Sequence, residues 1–102
     1  MSSPQLSAAP TCSDAGRGTG IITARYAVRA RAEPGIMPRI LELFAKRGLV
    51  PQQWRSTASP VALTIEVQIA GIDREAAAYI GRSMRQIAGV ESVLSRESGA
   101  AG

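Results

Sequence analysis

The residue types that most often perform chemistry are thin in this sequence. There is no histidine. That removes the usual general base near neutral pH, the Ser/His and Cys/His nucleophile pairs and the commonest transition-metal ligand. The single cysteine, Cys12, can form neither an internal disulfide nor a thiolate metal site. No base stands beside it to favour the thiolate, so it reads as an incidental exposed thiol. No pair of carboxylates has the pocket context expected of acid/base catalysis. These gaps argue against an enzyme, a metal centre or a bound cofactor. They favour a binding, regulatory or subunit role.

Three groups of residues remain as candidates. Ala32, Glu33, Gly35, Ile36 and Met37 surround a Pro-Gly break that a ligand could approach. Gly35 either offers bare backbone to that ligand or meets a steric need of the turn. The helix start that follows could offer N–H groups to an anion, although Pro38 removes one donor. Gln52, Trp54 and Ser56 alternate along one side of an extended segment. Trp54, the only tryptophan, either covers the end of a helix or anchors a partner. Arg39 is either a solvated helix charge or a contact to a second subunit. The third group is the arginines. Twelve basic residues, eleven of them arginine, stand against eight acidic ones, for a net charge of +4. They are scattered, with no run of five or six. That pattern suits a solvated surface with a mild positive field better than a nucleic-acid module.

The elements that position these residues follow from hydrophobic period. Tyr26, Val28 and Ala30 alternate with Arg25, Ala27, Arg29 and Arg31, which predicts a strand over Arg25–Ala32 with one buried face. Glu33-Pro34-Gly35 ends it. Ile36, Ile40, Leu43 and Phe44 form one helical stripe, widened by Leu41. Lys46 and Arg47 complement the helix dipole, and Gly48 stops the helix. Leu49–Ala58 reads as a second strand, placed at a sheet edge by Pro51. Ser59-Pro60 turns the chain. Val61, Leu63, Ile65, Val67 and Ile69 then make the cleanest strand. Gly71 punctuates. Asp73 caps a second helix whose buried stripe is Ala76, Ala77, Ile80, Met84 and Ile87, with Glu75 in its first turn. Gly89 stops that helix, and Val90–Arg96 closes as a short strand. Aromatics make up only 4% of the chain, so the core is expected to be aliphatic.

The order is β-α-β-β-α-β. Two helices can cover one face of a four-stranded antiparallel sheet, which is the ferredoxin-like α+β sandwich. The first and third strands are then central, and Arg29 or Arg31 is expected to meet Glu66 across them. The open face, carrying Arg25, Arg29, Arg31, Thr64, Glu66 and Gln68, lacks the aromatics on which an RNA-recognition sheet stacks bases. No Cys-x-x-Cys marks a metal chaperone. Residues 1–23 read as a disordered Ser/Ala/Pro/Gly/Thr arm, 24–97 as the domain and 98–102 as a frayed tail. No stretch reaches membrane-span length, and the first residues lack a basic region followed by an apolar one. The cytoplasm is therefore the expected compartment.

The run Arg31-Ala32-Glu33-Pro34-Gly35-Ile36-Met37-Pro38-Arg39-Ile40, then Leu43-Phe44-Ala45-Lys46-Arg47-Gly48-Leu49, resembles the start of an ACT domain. More closely, it resembles the small regulatory subunit of acetolactate synthase, over about Arg25–Arg96. The resemblance implies a non-catalytic regulatory subunit that pairs with itself through edge strands and docks on a large thiamine-diphosphate synthase subunit. It also implies a branched-chain amino acid held near the first strand–helix loop. The length fits the shorter, single-domain type of that family. Two positions depart from the pattern. Ala32 stands where the family often has Asn or Asp, and Val50 where it often has Asn. Both lost groups suit an ammonium or carboxylate, so docking is expected to survive while amino-acid feedback is weak or absent. A free-standing amino-acid sensor serving another enzyme, and a basic nucleic-acid-associated protein of the same fold, are the alternatives.

Overall fold

The alternation of the first and third strands dictates the architecture. A computed structural model describes residues 20–99. It contains β1 (Ile21–Arg31), α1 (Ile36–Ala45), β2 (Gln53–Ala58), β3 (Ala62–Asp73), α2 (Arg74–Arg85) and β4 (Val90–Gly99). The strands form one sheet in the order β2-β3-β1-β4, with every neighbouring pair antiparallel. This is the expected βαββαβ ferredoxin-like sandwich, with β1 and β3 central.

One face of the sheet carries the core. Ile22, Ala24, Tyr26, Val28 and Ala30 from β1 and Leu63, Ile65, Val67 and Ile69 from β3 are buried. They meet Ile36, Ile40 and Phe44 of α1 and Ala77, Ile80 and Met84 of α2 in one cluster. Tyr26 and Phe44 pack edge to face with ring centroids 6.2 Å apart. Among the described residues no polar or charged residue is buried. Gly81 lies so close to β1 that a Cβ there would stand 3.5 Å from the Tyr26 ring. The expected caps form: the Asp73 carboxylate accepts from the Ala76 amide at 3.2 Å. Leu49 N–H returns to Phe44 C=O at 3.0 Å past Gly48.

Several boundaries and contacts differ from the sequence reading. β1 begins at Ile21, inside the segment expected to be an arm, because Ile22 has a core position to fill. The rest of that arm, with Cys12, lies outside the described residues. β4 runs to Gly99, since Thr23 and Ile22 pair with Ser98 and Gly99. β3 passes through Gly71 rather than ending there. At Gly71 φ is +71°, and the register slips by one residue between Ile22/Ile72 and Ala24/Ile69. Glycine thus accommodates a bulge inside a longer strand. Leu41 does not widen the core stripe and is 43% exposed. Residues Leu49–Gln52 are connection, and β2 starts at Gln53. Finally, Glu66 lies opposite Ala27, not Arg29 or Arg31. It pairs with Arg55 of β2 at 3.8 Å, while Arg29 pairs with Glu91 and Arg31 with Glu33.

Candidate functional site

The β1–α1 loop is built from the end of a central strand and the first turn of α1. Ala32, Glu33 and Gly35 are exposed, Met37 is half-buried, and Ile36 is buried in the core. The loop is internally bonded. Glu33 N–H donates to Arg31 C=O at 2.8 Å, Ile36 N–H to Glu33 C=O at 3.2 Å and Arg39 N–H to Gly35 C=O at 3.4 Å. The Glu33 carboxylate pairs with the Arg31 guanidinium at 3.2 Å. Gly35 does not meet the steric need assigned to it as a turn residue. It caps α1 at φ −79°, ψ −10°, a conformation open to any residue. An added Cβ would meet nothing within 4 Å.

The glycine that this loop does require is Gly89, at the α2–β4 turn. Its φ is +96°, and a Cβ there would lie 2.8 Å from Ile36 Cδ1 and 3.2 Å from Glu33 Oε1. Its carbonyl also accepts from Arg31 N–H at 2.9 Å. The sequence marked Gly89 only as a helix stop. Its contact with the loop depends on a pairing of the two chain halves that local pattern does not reveal.

The second candidate group occupies the β2 edge and α1. Trp54 is half-buried against the core, while Ser56 and Arg39 are exposed. Gln52 serves the fold. Its side-chain oxygen accepts from the Ala70 amide, and its own N–H donates to Gln68 C=O. Together these bonds fasten the start of β2 beside the Gly71 bulge. Loop and β2 edge are separate places in the fold, not two parts of one pocket.

A concavity of ligand size lies elsewhere. A groove of about 860 Å³ lies on the open side of the sheet and is lined by Arg25, Gln53, Arg55, Gln68, Leu94 and Arg96, among others. A smaller cleft of about 180 Å³ runs between α2 and β4. Two of its residues are engaged: the Tyr26 hydroxyl donates to Ala77 C=O at 2.6 Å, and Arg85 donates to Val93 C=O at 2.9 Å. Burial, with the nearby Glu97 charge, pushes the Tyr26 phenol up to about 12, against a smaller opposing effect of Arg85. A phenol held protonated on a helix carbonyl is a structural group. Among the described residues no cluster of His, Cys, Asp and Glu could hold a metal, and no helix is long and apolar enough to cross a membrane.

A family model described as ACT-like domain matches residues 18–101. The chain belongs to the ACT-like domain family. The match spans all six elements of the ACT-like domain and confirms the first level of the sequence resemblance. Nothing found singles out the acetolactate synthase small subunit. The crystal structure of the ACT domain from a GTP pyrophosphokinase of Chlorobium tepidum superposes with a TM-score of 0.66 at 14% identity. That alignment covers 74% of this chain and 99% of the other. The C-terminal domain of the MgtC protein from Mycobacterium tuberculosis gives 0.57 at 15% identity, covering 81% and 94%. At such identities the likeness is one of fold. No curated protein matches the sequence.

Proposed function

We propose that this ACT-like domain is a non-catalytic regulatory subunit that pairs with a second copy and docks on an enzyme. The carrying observation is the β2 edge. Among the described residues its six, Gln53–Ala58, pair only with β3, and they include one charge, Arg55. The opposite edge, β4, carries Glu91, Arg96 and Glu97, the kind of charge that discourages strand addition. Joining two β2 edges would give one eight-stranded sheet and cover Trp54 and Ser56. Gel filtration of the full chain at micromolar concentration is expected to give twice the chain mass. A single-chain mass overturns this pairing.

The host is proposed from the loop and helix motif: a large thiamine-diphosphate subunit of acetolactate synthase, in the cytoplasm. One of the structural neighbours is a domain of a pyrophosphokinase, a likeness of fold that does not bear on the choice of host. Feedback by an amino acid is proposed to be weak or absent. Ala32 offers no side-chain partner, Glu33 is engaged by Arg31, and Pro38 has no N–H to give. Titration calorimetry with valine, leucine and isoleucine is expected to show no micromolar binding. Tight binding overturns the idea. The second reading, a sensor serving another enzyme, is favoured by a family match that stops at the ACT-like level. Co-purification decides between them, since a thiamine-diphosphate enzyme accompanies the chain only under the first.

A further inference from the structure

The open face of the sheet places four hydrogen-bond donors in one row. Arg25 of β1 lies directly opposite Arg96 of β4 and opposite Gln68 of β3, and Gln68 lies opposite Gln53 of β2. The row Arg96–Arg25–Gln68–Gln53 therefore crosses all four strands, roughly 14 Å at ordinary strand spacing. The row contains no acid, and Glu66, which also lines the groove, is paired with Arg55. Two like charges directly opposite each other destabilise a sheet. The neighbouring arginines of this face are neutralised, Arg29 by Glu91, Arg31 by Glu33 and Arg55 by Glu66. Among the described residues, Arg25 and Arg96 have no such partner. All four donors line the groove of about 860 Å³, within the size range of small-molecule sites.

We propose that this row is an oxyanion site. Arg25 and Arg96 hold the phosphate or carboxylate of a small metabolite, and Gln68 and Gln53 hydrogen-bond its uncharged body. Guanidinium groups suit this role because their planar forks match both oxyanions. A second copy of the chain fits the face poorly, since its own arginine row would be brought against this one. Single-stranded nucleic acid needs stacking platforms, and the row and its two flanking rows carry none. The site lies on the sheet's open face, away from the β1–α1 loop, and its row reaches the edge strand β2 at Gln53; it goes beyond the regulatory reading above and is tested separately.

The test is a pair of titrations of the full chain at low salt, one with inorganic pyrophosphate and one with citrate, followed by amide NMR. At least one probe is expected to shift Arg25, Gln53, Gln68 and Arg96 while Glu33 and Gly35 stay still. Which probe does so separates a phosphate ligand from a carboxylate. Arg25→Gln and Arg96→Gln each weaken that binding about tenfold or more. Both positions are solvent-exposed, and a thermal melt of each variant reports its folding. Silence of both probes at millimolar concentration overturns the proposal, as does unchanged binding by the folded variants. An oligonucleotide that binds while both small anions stay silent also overturns it and gives the face to nucleic acid. Shifts confined to Glu33 and Gly35 overturn it in favour of the loop.

Discussion

The two faces of the sheet use the same strands to opposite ends. On the helix side, every second residue of β1 and β3 is buried, and among the described residues no charged side chain is buried there. On the open side, the intervening residues are mainly arginine, glutamine, threonine and alanine, and two opposed arginines have no acidic partner among the described residues. The first face gains stability from area removed from water. The second face sets two like charges opposite each other on neighbouring strands. Residues that oppose stability without serving the core are candidates for function.

The comparison breaks most visibly if the helix side is opened. Phe44 is fully buried and meets Tyr26 edge to face. Phe44→Ala is expected to cost about 3–5 kcal/mol, a large share of the stability of a domain this size. Chemical denaturation reads it directly. A cost below about 1 kcal/mol would mean that the core is not where burial places it.

Gly89 gives the next largest effect and tests how the loop is joined to the core. Gly89→Ala puts a Cβ 2.8 Å from Ile36 Cδ1 at a φ of +96°. We expect a loss of about 1–3 kcal/mol. Amide shifts should appear at Glu33 and Ile36, far away in sequence. Shifts confined to the α2–β4 turn would separate the loop from that turn.

These two residues also show what was legible in the sequence. Phe44 was legible because its helical spacing from Ile36 and Ile40 is local. The burden on Gly89 was not, because it arises where residues 33–36 meet the other end of the chain. Gly35, beside a proline, looked like the constrained glycine and is the unconstrained one. The same limit hid the open face. Alternation identified Arg25, Arg29, Arg31 and Glu66 as lying on one side of the sheet. Which of them meet depends on register. The partner of Glu66 came from β2, and the opposition of Arg25 and Arg96 needed the β1–β4 pairing. Gly71 was read as an end because a bulge and a strand end carry the same residue.

A smaller effect probes a buried hydroxyl on the apolar side. Tyr26→Phe removes the hydroxyl bonded to Ala77 C=O at 2.6 Å and is expected to cost about 1 kcal/mol. The phenol is raised in the fold from 10 to about 12, so the folded chain holds its proton where the unfolded chain releases it. Its contribution is fully present below pH 10 and is lost as pH rises from 10 to about 12. The phenylalanine variant should lose less stability than the parent across that window. Equal losses would mean that the buried phenol does not carry this alkaline sensitivity.

The smallest effect has the opposite sign, and it sharpens the contrast between the faces. If the opposition of Arg25 and Arg96 is a net repulsion, Arg96→Gln should raise the melting temperature, by roughly 2 °C at low salt. Added salt screens exposed charges within a few ångströms to a nanometre, so the gain should shrink as ionic strength rises. Pyrophosphate or citrate, if held by the row, should stabilise the parent and narrow the gap between parent and variant, because a ligand bound only by the folded chain raises its stability. A variant that melts lower than the parent at low salt would show that Arg96 supports the fold. The open face would then differ from the helix face in composition alone, and its unpaired charges would no longer mark it as a place kept for something else.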